Sequence, residues 1–287
     1  MYIQNQREHQ QYLEQFIALA LKEDVGDGDH TSNACIPEDG RSTAKLLIKS
    51  EGIVAGVEAA QSIFKHMDPD AKVTIHIKDG KDVSYGDVVF DVECNSRVLL
   101  MAERLVLNLM QRMSAIATLS NRFAFEVIGT GAKILDTRKT TPLLRYFEKW
   151  AVNIGGCHNY RFGLYDRIMI KDNHIKACGG ITQAIHRVHE HMKQHRLKLP
   201  VTIEVSNLNE LHEVLAVKQV DRIMLDNFEL PILKEAVDIV DKAFETEASG
   251  GITIRNVYAY AKTGVDYISV GALTHSAGSM DMSLKIV

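Results

Sequence analysis

Apolar and polar positions change rhythm twice along this chain. Tyr12, Leu13, Phe16, Ile17, Ala20 and Leu21 recur at helical spacing and predict an amphipathic opening helix. It runs into KEDVGDGDHTS, whose glycines and aspartates predict a turn held by local Asp-to-backbone bonds. Asp24, Asp27 and Asp29 do not follow the ligand order of a calcium loop. From 42 to 95 the pattern shortens to β-like runs, TAKLLIKS, GIVAGV, KVTIHIK and DVVFDVEC, interrupted by one helical segment, VEAAQSIFKHM. Within it, KDGKDVSYGDVVFDV reads as a hairpin-like return. Strands with few helices between them predict a sheet with helices on one face. Residues 97–128 are helix-periodic, with a buried stripe through Leu99, Ala102, Leu105, Val106, Leu109, Met110, Met113 and Ile116, and Ser114 marks a break between two helices. Arg104 and Asn108, one turn apart, share a face of that helix with few apolar neighbours.

Beyond this helix the rhythm alternates. Short apolar strands recur as KILDTR, RIMIKD, VTIEVS, RIMLDN, TEASGG and YISVGA, and several are followed by helical stretches such as GITQAIHRVHEHMKQHR, LNELHEVLAV and LPILKEAVDIVDKAF. Repeated βα units of this kind build a parallel sheet and predict a β/α barrel. In such barrels the strand C-termini carry the chemistry. Those positions are Asp136, Arg138 and Lys139; Lys171 and Asp172; Glu204; Asp226 and Asn227; Ser249, Gly250 and Gly251; and Gly271 with Ala272.

Composition narrows the picture by exclusion. A formal net charge of -4 over 287 residues argues against general nucleic-acid binding. The opening MYIQNQREHQQ lacks the apolar centre of a signal peptide, and no apolar run approaches the length of a membrane helix. Cys35, Cys94, Cys157 and Cys178 show no CxxC spacing, which predicts neither a zinc ribbon nor a disulfide framework and favours a reducing, cytoplasmic setting. His158, His174 and His275 lack metal-ligand spacing.

Charge is distributed unevenly. Residues 133–176 hold nine Lys or Arg against four acids, inside a chain that is acidic overall. This asymmetry predicts a site for a small molecule with more than one negative charge. The glycine clusters ASGGIT and SVGALTHS follow the last two strands, where barrels commonly bind phosphate. Glu204 and Asp226 can hold sugar hydroxyls or a magnesium ion accompanying a polyphosphate, or can pair with Lys139 or Lys171. A Schiff-base role for Lys171 fits less well, because polar groups surround it.

The motifs LKEDVGDGDHTS, AERLVLNLMQRMSAIAT, LDTRKTTP, GGCHNYRFGL, IMIKDNHI, TIEVSN, IMLDNF, EASGGIT and GVDYISVGALTHS occur in an order that resembles the quinolinate phosphoribosyltransferase family over essentially the full length. The resemblance implies an N-terminal α/β sandwich (1–112), an incomplete, roughly seven-stranded β/α barrel (113–275) and a last segment (276–287) returning to the first domain. It also implies a homodimer, open to higher assembly, with Arg104 donated across the interface. Arg138, Lys139, Arg161 and Lys171 would bind the two carboxylates of quinolinate. Glu204 and Asp226 would face the ribose and magnesium of phosphoribosyl pyrophosphate, with Lys139, Lys171, Glu204 and Asp226 as the catalytic set. Ser249, Gly250, Gly251, Gly271 and Ala272 would hold the 5-phosphate, and no organic cofactor is implied. Where the family commonly reads His-Arg, this chain has Tyr160 before Arg161, and its glycine triplet ends in Cys157. Tyr can donate a hydrogen bond to a carboxylate but supplies no imidazolium charge. Two alternatives follow: a related barrel phosphoribosyltransferase for another anionic base, and a weakened, ligand-sensing barrel.

Overall fold

Gly- and Asp-punctuated strands followed by a long helix and then by βα repeats give two units. The computed structural model describes residues 6–287; residues 1–5, at the start of the stretch read as lacking a signal peptide, lie outside them. In chain order the elements are α1 (Gln6–Val25), α2 (His30–Cys35), β1 (Arg41–Ile48), β2 (Gly52–Ile53), α3 (Val57–Met67), β3 (Lys72–Ile75), β4 (Asp82–Val83), β5 (Val88–Asn95) and α4 (Ser96–Glu126). They continue with β6 (Lys133–Leu135), α5 (Arg145–Ile154), β7 (Ile168–Ile170), α6 (Asp172–Cys178), α7 (Ile181–His195), β8 (Val201–Val205), α8 (Leu208–Val217) and β9 (Arg222–Asp226). The last are α9 (Leu230–Val240), β10 (Glu245–Ser249), α10 (Val257–Ala261), β11 (Tyr267–Ser269), α11 (Ala272–His275) and β12 (Met282–Ile286).

The first unit comprises residues through Asn121 together with Thr141–Gly156 and Ser276–Val287. Its antiparallel sheet has the order β12-β1-β5-β3. Alternation puts Ala44, Leu46 and Ile48 of β1 on the buried face, opposite Phe90, Val92 and Cys94 of β5. Phe64 of α3 meets Phe90 edge-on, with ring centroids 6.2 Å apart. Fully burying a side chain of this size contributes about 1.5–3 kcal/mol. Leu13 and Ile17 of α1 are buried, and the Phe16 ring packs tilted against Phe147 of α5 with centroids 4.4 Å apart. Asp29 caps α2 by accepting from the Ser32 backbone N–H at 3.0 Å, which is the local bond expected of that Asp-rich turn.

Two expectations are corrected here. Helix α4 runs unbroken through Ser114, whose buried hydroxyl accepts from Ala55 N at 2.9 Å and donates to Ala55 O at 3.1 Å. A serine satisfied from outside has no reason to interrupt its helix. Strand β4 does not return on β5; it pairs antiparallel with β2, Gly52 opposite Val83. The division at 112/113 falls inside α4, and Thr141–Gly156, which carries α5, groups with the first unit. Residues 276–287 also group there, through the pairing of β12 with β1.

The second unit comprises Arg122–Thr140 and Cys157–His275. Its six parallel strands have the order β6-β11-β10-β9-β8-β7, so the first strand in the chain lies beside the last. That is the order of an incomplete barrel with its seam between β6 and β7, and one parallel bridge, Leu135 to His158, adjoins the β6 side. Most of the strands alternate with helices, which is why periodicity in the sequence is read so directly as architecture here.

Candidate active site

Asp136, the residue after strand β6, is fully buried. Its carboxylate accepts from the Tyr160 backbone N–H at 2.8 Å and from Asn159 Nδ2 at 2.7 Å, so its role is to hold the loop that follows Cys157. Asp166 fixes the far side of the same loop by accepting from the backbone N–H groups of Phe162 and Gly163 at 2.7 and 2.9 Å. Arg161 lies between these anchors and donates from Nη1 to the Arg167 carbonyl at 3.2 Å. Burial lowers the basicity of its guanidinium, and the charge of Arg138 lowers it further. Arg138 Nε is buried and has no hydrogen-bond partner among the described residues. Two like charges that feel each other, one with an unsatisfied donor, describe a cradle for an anion.

Lys139 is exposed, and its carbonyl accepts from Thr274 Oγ1 at 2.8 Å. A Cβ placed on Gly271 would lie 3.1 Å from Lys139 Cδ and from the His275 ring, so glycine gives the lysine stem room to pass. Lys171 stands at the N-cap of α6, where its backbone N–H donates to His174 Nδ1 at 3.0 Å. Its Nζ is 3.7 Å from Glu204 Oε2. Desolvation holds the Glu204 carboxyl above the usual range, Lys171 opposes this, and the neighbouring acids Asp226 and Asp172 reinforce it. Asp226 accepts from Ser249 Oγ and from Asn227 Nδ2. Asn227 adopts a left-handed φ of 57° and donates its backbone N–H to the Ser249 carbonyl at 2.8 Å. Gly250, with φ 94°, presses on Asn227 so closely that any Cβ would collide with the amide. Gly251, with φ 61°, opens onto free space, and Ala272 begins α11.

The second unit thus holds Arg138, Lys139, Tyr160, Arg161, Lys171, Glu204, Asp226, Ser249, Gly250, Gly251, Gly271 and Ala272, whereas Arg104 belongs to the first. Arg104 is exposed on α4 and forms no ion pair among the described residues. The expectation for Tyr160 changes. Its phenol is buried and donates to Thr202 Oγ1 at 2.8 Å, and burial pushes its pKa up to about 12. Cys157 is likewise buried, its thiol pushed up to about 12, and no disulfide joins any of the four cysteines.

Sequence reasoning missed the polar interior next to Tyr160. Arg222 Nη1 donates to fully buried Glu247 at 3.1 Å, its Nη2 reaches Glu245 at 2.8 Å, and Ser269 Oγ donates to Glu247. The Arg222 guanidinium lies 3.7 Å from the Tyr267 ring centroid and 5.4 Å from that of Tyr160. The available signal was parity: Arg222 lies two residues before Met224 on β9, and Glu247 two before Ser249 on β10, so strand alternation points them to the same face.

A rolled parallel sheet with cations, paired acids and glycine turns on its loops defines an α/β enzyme acting on small anions. Comparison narrows the class. Residues 29–114 match the family model for the quinolinate phosphoribosyl transferase N-terminal domain, and residues 116–285 match that for its C-terminal domain. The chain is 47% identical to the chloroplastic nicotinate-nucleotide pyrophosphorylase [carboxylating] of Arabidopsis thaliana, over 96% of this chain and 82% of that protein. It is 42% identical to a probable nicotinate-nucleotide pyrophosphorylase [carboxylating] of Bacillus subtilis, over 92% of this chain and 90% of that one. The solved nicotinate-nucleotide pyrophosphorylase from Francisella tularensis superposes with a TM-score of 0.89 at 35% identity, covering 97% of each chain. The chain belongs to the quinolinate phosphoribosyl transferase family.

Proposed function

We propose that this chain transfers the phosphoribosyl group of phosphoribosyl pyrophosphate to quinolinate with decarboxylation, giving nicotinate mononucleotide, pyrophosphate and carbon dioxide in NAD biosynthesis. The observation that carries this reading is the buried, unpartnered Nε of Arg138 acting with Arg161, within a family whose relatives bear that activity in their names. Arg138, Lys139, Arg161 and Lys171 clamp the two carboxylates, because a guanidinium fork fixes a planar carboxylate in two bonds and so fixes the pyridine nitrogen. Glu204 and Asp226 face the ribose hydroxyls. Ser249, Gly250, Gly251, Gly271 and Ala272 take the 5-phosphate, the left-handed glycines exposing backbone N–H groups.

The bond from ribose C1 to pyrophosphate breaks as the ring nitrogen adds, so positioning and charge stabilisation supply most of the catalysis. When the adjacent carboxylate leaves as carbon dioxide, its bonding pair stays on the ring carbon, stabilised by the neighbouring pyridinium charge, and a proton then adds to that carbon. The acids present suit a magnesium ion that arrives on the diphosphate: Glu204 and Asp226 sense each other, yet no group of three potential ligands exists among the described residues. Bound there, the ion would neutralise charge on the departing pyrophosphate. No organic cofactor enters this scheme.

Exposed Arg104, with Asn108 one turn on, completes the site of a second copy in a homodimer, which is open to higher assembly. A cytoplasmic setting fits the disulfide-free cysteines and the Bacillus relative. No described helix is long and apolar enough to cross a membrane. The test is turnover with quinolinate, phosphoribosyl pyrophosphate and magnesium, following nicotinate mononucleotide, with nicotinate and orotate assayed alongside. Preference for a monocarboxylate would overturn the clamp.

A further inference from the structure

We propose that Tyr160 is a positioning residue that holds Arg161 in the anion cradle through Thr202 and Arg167. A closed circuit of bonds joins these residues. Arg161 Nη1 donates to the Arg167 carbonyl at 3.2 Å. Arg167 Nη1 donates to Thr202 Oγ1 at 3.1 Å. Tyr160 Oη donates to the same Thr202 oxygen at 2.8 Å, and the peptide bond from Tyr160 to Arg161 closes the loop. Thr202 is fully buried on β8, a rigid element, so it serves as the fixed point.

The choice of a phenol has a physical reason. The Tyr160 ring lies under two guanidiniums, Arg167 at 5.5 Å and Arg222 at 5.4 Å from its centroid, and an aromatic face stabilises cations without neutralising them. A carboxylate there would cancel the field that draws the substrate. Tyr160 also packs with Leu135, Met169 and Met224, so its ring is fixed by apolar contact and only the hydroxyl is directional. Asp136 and Asp166 tether the loop through backbone and amide groups, and the phenol is the tether that reaches the barrel interior.

This inference rests on the dicarboxylate reading above, and equilibrium binding separates the two. Tyr160→Phe keeps the ring and removes the bond. Calorimetric affinity for pyridine-2,3-dicarboxylate is expected to fall about three- to tenfold, the effect of one hydrogen bond. The KM for phosphoribosyl pyrophosphate and the thermal midpoint should stay near wild type. Thr202→Val, which removes the Arg167 bond as well, is expected to lose at least as much, Thr202→Ser to keep wild-type affinity, and the double variant Tyr160→Phe/Thr202→Val to be no worse than Thr202→Val alone. Unchanged affinity in Tyr160→Phe, equal losses for both substrates, or additive losses would overturn the positioning role. Wild type that binds the dicarboxylate without turnover would overturn the proposed reaction and leave this circuit standing. Wild type that does not bind it would overturn both.

Discussion

Arg138 is costly to keep as it is. A buried guanidinium nitrogen without a partner forfeits the hydrogen bond it had in water, and a second arginine nearby adds repulsion. In the proposed clamp a bound dicarboxylate offsets both costs. Arg138→Ala should weaken quinolinate binding on the order of 2–5 kcal/mol, the range for truncating one partner of a desolvated charge pair. Arg138→Lys should recover only part, since a point charge replaces a fork. The measurement is quinolinate KM and Kd at fixed phosphoribosyl pyrophosphate; a wild-type Kd in Arg138→Ala would remove Arg138 from the clamp. Residue by residue, the chemistry at strand ends was legible because charge there contradicts burial unless a ligand is expected. The interior circuit was not, because Tyr160 reads as an outward donor until Thr202, 42 residues away, is seen to accept its hydrogen bond. Arg222 and Glu247 were equally silent: 25 residues separate them, and a charge near the start or middle of a short strand has no local explanation.

Among elements, α3 shows how a distant side chain replaces a missing cap. Its N-cap is Gly56, which has no side chain to offer, and the Val57 backbone N–H donates instead to Asp79 at 2.9 Å. Burial dominates and raises the Asp79 carboxyl from its ordinary value to about 6, with nearby backbone N–H groups opposing. The folded protein therefore holds this proton more tightly than the unfolded chain does. The group's stabilising contribution is complete below about pH 4 and is lost as pH rises through about 6, a change on the order of 2–3 kcal/mol. Asp79→Asn keeps an acceptor for Val57 and removes the titration. Denaturant unfolding at intervals from pH 4 to 8 should show the variant's advantage growing to a plateau above pH 6; parallel curves would assign Asp79 an ordinary pKa. The segments VEAAQSIFKHM and LNELHEVLAV coincide with α3 and α8 because apolar spacing and local stop signals agree there. Ser114 misleads because its partner Ala55 is 59 residues away, and β4 because its partner β2 is not its neighbour in sequence. Gly155 carries no local signal either: it is glycine because the Ala117 carbonyl of α4 leaves no space for a Cβ.

At the scale of the whole molecule, the open question is whether one chain holds a complete site. Arg104 is exposed on α4 in the first unit, while the residues proposed to hold the carboxylates and the 5-phosphate lie in the second. If Arg104 serves a partner, two inactive variants should complement. In a dimer of one Arg104→Ala chain and one Lys171→Ala chain, the first chain's site keeps its own Lys171 and receives the partner's intact Arg104. The other site lacks both groups. Random reassortment makes half of the dimers mixed, each with one of two sites restored, so about a quarter of wild-type turnover should return. Service within one chain predicts no recovery, because each chain would then carry its own defect. Differently tagged chains, mixed dimers isolated by tandem affinity and assayed beside each parent, distinguish the two. Recovery would also show that folding and substrate binding survive both substitutions, which no single-variant loss of activity can establish.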